Sequence, residues 1–296
     1  MNMVLQPQAP DVRVGEILKL AVMAVGGQGG GVLTAWIEGL ARAQGYACQA
    51  TSVAGVAQRT GATIYYVELT PKSDQQPVFA LAPSGGDVDV LIAAEMMEVG
   101  RAVMRGFVTP DRTTLIGSTH RALAVSEKTM PGDGIANADE VRAAAELAAQ
   151  RLILADMDHL AVAQGSVISA SLFGALAGSG ALPFPRAAFE DAIRASGKGV
   201  APSLLAFAAG FDAAQNGVAP AAKADAPEPP VLVGPTDEMN KWQAVQDRVA
   251  TLPAPVQDIA RAGALKVVDF QDCAYGAHYL DRLEKIIKVD DSAHNW

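Results

Sequence analysis

The feature that most constrains this chain is a run of glycines set between two apolar segments. Residues 20–25 are apolar, and five glycines follow within six positions (Gly26, Gly27, Gly29, Gly30 and Gly31) with Gln28 among them. Apolar residues then resume at Val32, Leu33, Trp36, Ile37, Leu40 and Ala41. Those intervals of three and four belong to one face of a helix. The pattern reads as a buried strand, a turn that only glycine tolerates, and an amphipathic helix whose first N–H groups are available to an anion. This turn is the first place to expect a ligand.

Half of the 296 residues are hydrophobic but only 5% are aromatic, so Ala, Val, Leu and Gly must build the core. Helices packed closely on a parallel sheet use such residues well. The expected fold is therefore α/β: a three-layer α/β/α arrangement with a mostly parallel sheet, plus a C-terminal helical extension. The expected divisions are a domain over residues 17–216, a linker over 217–236 with five prolines, and a helical extension over 237–296 whose natural chain continues further. A net charge of −9, with no basic cluster, argues against a nucleic-acid partner. Cys48 and Cys273 lack any Cys or His companion at ligand spacing, which excludes a zinc site or iron–sulfur cluster held by this chain alone. Two reduced thiols in a cytoplasmic protein are expected, with a single disulfide as the alternative. No apolar run reaches the ~18 residues of a membrane span, and the first twelve residues do not form a secretory signal.

Further strands are expected over residues 47–53, 62–69, 87–94, 113–117 and 153–158, and helices over 95–104, 139–152, 166–176, 189–195, 203–216, 237–262 and 270–289. A polar, glycine-bracketed loop, GVAQRTG over residues 55–61, follows the second strand. Its Gln58 and Arg59 fall at the carboxyl edge of the sheet, where α/β proteins collect ligands, and a guanidinium there pairs with a carboxylate or phosphate or, equally, forms a structural ion pair.

Several other chemistries fail on spacing. Counting GxGxxG from Gly27 puts the third glycine on Val32, and counting from Gly29 puts it on Thr34. The second strand ends Thr51-Ser52-Val53 without a carboxylate for a ribose, which weighs against NAD or FAD. No Lys follows the glycines as a P-loop requires. Gly132-Asp133-Gly134 reads as a turn, because the Asn pair of a thiamine-diphosphate motif does not follow it. His120, His159, His278 and His294 have no carboxylate or cysteine at ligand or triad spacing, no GxSxG occurs, and Asp87 and Asp89 read as exposed charges at a strand start. A subunit that relies on a partner for its chemistry fits better than a complete enzyme.

Taken together, two motifs in order carry a resemblance: Ala24-Val25-Gly26-Gly27-Gln28-Gly29, similar to a GxGGQG turn, and Ala57-Gln58-Arg59-Thr60-Gly61, similar to an AQRGG loop in which Thr60 replaces glycine. The later DVDVLIAAEMMEVGRA and GALAGSGALPFPRAAFEDAI stretches and Lys198 agree with it. The chain resembles the gamma-type module of 2-oxoacid:ferredoxin oxidoreductases, and within that family it is most similar to the beta subunits acting on indolepyruvate. The resemblance implies a non-cluster subunit of a thiamine-diphosphate-dependent enzyme that decarboxylates an arylpyruvate oxidatively to an acyl-CoA. A large partner subunit would carry thiamine diphosphate and [4Fe-4S] clusters and pass electrons to ferredoxin. It further implies that Gly26, Gly27, Gln28, Gly29, Gly30, Gln58 and Arg59 face coenzyme A, with no catalytic residue on this chain. The competing readings are a structural assembly module without a ligand and a nicotinamide-binding reductase subunit.

Overall fold

The computed structural model describes residues 15–53, 63–123, 125–129, 134–216 and 233–289. The elements are β1 (Leu18–Ala24), α1 (Gly30–Ala43), β2 (Tyr46–Val53), β3 (Thr63–Pro71), β4 (Val90–Ala93), α2 (Met96–Met104), β5 (Thr114–Ser118), α3 (Val125–Thr129), α4 (Ala138–Ala148), β6 (Arg151–Ala155), α5 (Met157–Val162), α6 (Ile168–Ser179), α7 (Arg186–Ser196) and α8 (Val200–Asn216), then α9 (Thr236–Ala250), α10 (Ala254–Phe270) and α11 (Cys273–Val289). Two compact units result, one of residues 1–129 with 135–220 and one of residues 130–134 with 221–296.

The first unit is built on a six-stranded sheet ordered β2-β3-β1-β4-β5-β6. β1, β4, β5 and β6 pair in parallel, whereas β3 runs antiparallel to both β1 and β2. The sheet is thus mostly parallel, as the apolar strands imply, with one reversed strand that their composition does not reveal. Alternation along β1 divides the core in two. Leu20, Val22 and Ala24 pack with Leu33, Ile37 and Leu40 of α1 and with α6, α7 and α8 on one face. Ala21 and Met23 pack with Met96, Val99 and Ala102 of α2 and Ala145 of α4 on the other. Both faces of the parallel strands are covered, giving the expected α/β/α layers.

Helices α6 and α8 meet backbone to backbone. A Cβ added at Gly174 would lie 1.9 Å from the Phe207 carbonyl oxygen, and one at Gly210 would lie 1.9 Å from that of Ser171. Small residues at four-residue intervals let the helices approach this closely, and Phe173, Phe189 and Phe207 fill the flanks. At the amino edge of the sheet, Asp87 and Asp89 are not solitary surface charges. Arg112 reaches Asp87 at 2.5 Å and Asp89 at 2.7 Å, and Lys19 reaches Asp87 at 2.5 Å.

Other boundaries move for local reasons. α4 ends at Ala148 rather than near residue 152, because residues 151–155 leave the helix to pair with β5. α5 begins at Met157, inside the segment expected to finish that strand. The helix expected over 237–262 is two helices, broken where Pro253 caps α10. In the second unit, α9, α10 and α11 enclose Val245, Val249, Leu252, Ala260, Ala264 and Leu280, and Arg248 bridges Asp281 and Glu284 at 2.8 Å each. Gly132 and Asp133 of the GDG turn and most of the Pro-rich segment lie outside the described residues.

Gly174→Val is expected to destabilise the first unit by more than about 3 kcal/mol, because neither backbone can yield 1–2 Å without separating the helices. Chemical denaturation of the full chain checks this, with Ala177→Val on the same helix as the control.

Candidate functional site

Strand β1 lies beside β4, yet α1 packs on one face of the sheet and α2 on the other. The chain therefore diverges at the carboxyl ends of these two strands, the crevice in which open α/β sheets hold ligands. The glycine turn forms one wall of it.

The turn is shaped by contacts that leave no room for side chains. Gly29 is the N-cap of α1 at φ 69°, a left-handed conformation, and a Cβ there would lie 3.1 Å from Ser169 Oγ. A Cβ at Gly30 would lie 2.5 Å from the Tyr65 ring and 2.9 Å from the Ala24 Cβ, so only glycine lets α1 start against the sheet. Gln28 is turned inward. Its Oε1 accepts the Val25 N–H at 2.9 Å and its Nε2 donates to the Ala94 carbonyl at 3.4 Å, which locks the turn to the end of β4. The Gln28 amide thus supports the crevice wall.

Helix α1 consequently starts without a side-chain cap and without an acidic residue in its first turn. The Leu33 N–H donates to Gly29 at 3.0 Å, so the N–H groups of Gly30, Gly31 and Val32 precede the first helical bond. Gly26, Gly27 and Gly31 are exposed. The arrangement is an opening of partial positive charge suited to a phosphate or carboxylate. Gln58 and Arg59, the other expected site residues, lie outside the described residues.

Beyond β4 the edge carries groups that the sequence pattern does not mark. Glu95 is 1% exposed, and its carboxylate accepts the Glu98 N–H at 2.8 Å and the Ala122 N–H at 3.4 Å, capping α2 and holding the segment after β5. Burial raises its pKa from the ordinary value, against the lowering effect of those N–H groups and Arg121. Glu98, 2% exposed, is pushed by burial to about 7, and its Oε2 meets no partner among the described residues. His120 comes within 3.7 Å of Asp158, a carboxylate too remote in sequence for spacing to reveal. Burial holds the Cys48 thiol up at about 11 and raises that of Cys273, so neither is an activated thiol. No group of three or more His, Cys, Asp or Glu among the described residues suits a metal ion, and no helix among them is long and apolar enough to cross a membrane.

The folded pKa of Glu98 lies above its ordinary 4.5. The native state therefore binds more protons than the unfolded chain between pH 4.5 and about 7, and stability falls as pH rises through that window. Glu98→Gln is expected to raise stability by about 1–2 kcal/mol at pH 8 and to leave it nearly unchanged near pH 4, as read by urea denaturation at both values.

The sequence matches the pyruvate ferredoxin/flavodoxin oxidoreductase family over residues 19–213. No curated protein matches the chain significantly. Among solved structures, pyruvate oxidoreductase subunit PORC of Thermotoga maritima is 16% identical with a TM-score of 0.48, over 67% of this chain and 96% of that one. The 2-oxoglutarate:ferredoxin oxidoreductase of Magnetococcus marinus, solved with 2-oxoglutarate, coenzyme A and succinyl-CoA bound, is 15% identical with a TM-score of 0.48, over 68% of this chain and 31% of that one. The gamma subunit of a keto/oxoacid ferredoxin oxidoreductase from Geobacter sulfurreducens is 16% identical with a TM-score of 0.44, over 67% of this chain and 98% of that one.

Proposed function

We propose that this chain, which belongs to the pyruvate ferredoxin/flavodoxin oxidoreductase family, is the non-cluster subunit of a cytoplasmic 2-oxoacid:ferredoxin oxidoreductase acting on indolepyruvate or a related arylpyruvate. The observation that carries the reading is the uncapped start of α1 at the crevice between β1 and β4. The part assigned to this chain is to hold coenzyme A, the acceptor of the acyl group. Thiamine diphosphate and [4Fe-4S] clusters on a large partner subunit would supply decarboxylation and electron transfer to ferredoxin.

In this reading a phosphate or the pantetheine arm of coenzyme A lies against the N–H groups of Gly30 and Gly31, with Gly26, Gly27 and Gly29 keeping the approach open. Gln28 keeps the turn in place through Val25 and Ala94. Gln58 and Arg59 are assigned to the same ligand by their motif alone, since a guanidinium pairs with a phosphate. The thiol end then points toward the partner's acyl group. Residues 17–216 constitute this module, and no chemistry is assigned to the helices after the linker.

Arg59→Ala, assayed in the complex with its partner, is expected to raise the KM for coenzyme A by about tenfold and to leave assembly and the KM for the 2-oxoacid unchanged. An unchanged coenzyme A KM together with intact assembly would remove Arg59 from the site.

A further inference from the structure

The second unit closes its own core with one side of each helix and leaves another side bare. Val245, Val249, Leu252, Ala260, Ala264 and Leu280 fill the interior between α9, α10 and α11. Away from that interior, α11 carries Tyr275, Tyr279, Arg282, Ile286 and Val289 at alternating intervals of four and three, the spacing of a helix-packing seam. Ile259, Lys266 and Phe270 form a matching stripe along α10. The two stripes adjoin, because the Tyr279 hydroxyl occupies the space beside Gly263 that a Cβ would need, and the Phe270 and Tyr275 ring centroids lie 6.5 Å apart. Yet Ile259 is 75% exposed, Phe270 80%, Ile286 56% and Val289 81%. Single apolar residues are ordinary on a surface, whereas a contiguous apolar face on two adjoining helices marks an interface.

Charges at the edges of this face select what fits it. Asp258 and Asp269 are exposed on the outer edge of α10, and Asp258 pairs at 3.2 Å with Arg261, three residues on. On α11, Arg282 lies within the stripe and Lys285 on its outer edge, both exposed and without an ion pair among the described residues, since Asp281 and Glu284 are taken up by Arg248. One edge is therefore acidic and the other basic. In a second copy turned about a two-fold axis parallel to the helices, α11 lies over α10 and runs antiparallel to it. Ile259 then meets Ile286 of the second copy, Phe270 meets Tyr275, Lys266 faces the tyrosine rings, and Asp258 comes beside Lys285. The other two-fold arrangement stacks α10 on α10 and sets Asp258 beside Asp269 of the second copy, a contact of like charges.

We infer that α10 and α11 are the contact surface for a second copy of this chain, the four helices of two copies packing as a bundle with each α10 against the α11 of the other. Both helices have 17 residues. A face about 25 Å long and two helices wide is of the size from which a modest specific interface is built. The inference is independent of the coenzyme A reading, which concerns the first unit alone.

The test is sedimentation equilibrium of the full chain, for the wild type, Ile259→Asp, Asp258→Lys, Lys285→Glu and the double variant Asp258→Lys/Lys285→Glu. The wild type is expected to associate reversibly to a dimer, and Ile259→Asp to remain monomeric with unchanged helical circular dichroism, because this side chain is exposed in the single copy. Each charge reversal alone is expected to raise the dimer Kd by roughly tenfold, since it acts twice across the two-fold axis, and the double variant to return to within about threefold of the wild type. A wild type that stays monomeric, leaving the face to an unlike partner, overturns the inference, as does a dimer that Ile259→Asp leaves intact. A double variant no tighter than the single reversals overturns the pairing of α10 with α11.

Discussion

Everything distinctive about this fold follows from the way α1 begins. The helix must start directly against the sheet, because Gly30 sits where a Cβ would strike Tyr65 and Ala24. The turn before it offers a single functional side chain, Gln28, and that amide is used inward to bind Val25 and Ala94. The result is a helix end without a side-chain cap, at which Gly31 is exposed while Gly30 is buried. An anion at such an end contributes about 0.3–2 kcal/mol per helix, a modest amount alone but a directional one.

The rest of the first unit holds that end still. Gln28 fastens the turn to β4, Glu95 caps α2 from the adjacent strand end, and Met96 donates to His120, so the carboxyl ends of β1, β4 and β5 are joined by hydrogen bonds. On the far side, the backbone contact of α6 with α8 fixes Ser166, Ser169 and Ser203 relative to α1. Rigid placement matters because a site made of N–H groups gains its advantage only when the donors do not have to reorganise. Family membership and the crevice position both support the proposed binding role.

Much of this was legible in the sequence, for reasons that differ by element. The apolar run and three-four spacing around the glycines marked β1 and α1 because burial on both faces leaves no polar position to confuse the pattern. The reversed direction of β3 was not legible, since TIYYVELTP reads as a strand whichever way it runs. The end of α4 was hidden because no glycine or proline follows the alanines before Arg151, and only pairing with β5 ends the helix. Pro253, in contrast, was a visible signal for the break between α9 and α10. Within the site, the glycines themselves were evident, but the inward turn of Gln28, the approach of His120 to Asp158 and the burial of the Ser169 hydroxyl depend on tertiary placement that spacing does not encode.

In the proposed function the first N–H groups of α1 receive a phosphate of coenzyme A. Amide hydrogen exchange of the assembled complex, followed with and without coenzyme A, addresses it at the atoms concerned. Slower exchange at residues 29–32, with Gly30 and Gly31 most affected and no matching change in the second unit, is the predicted result. Unchanged exchange at these amides under saturating coenzyme A would contradict the account.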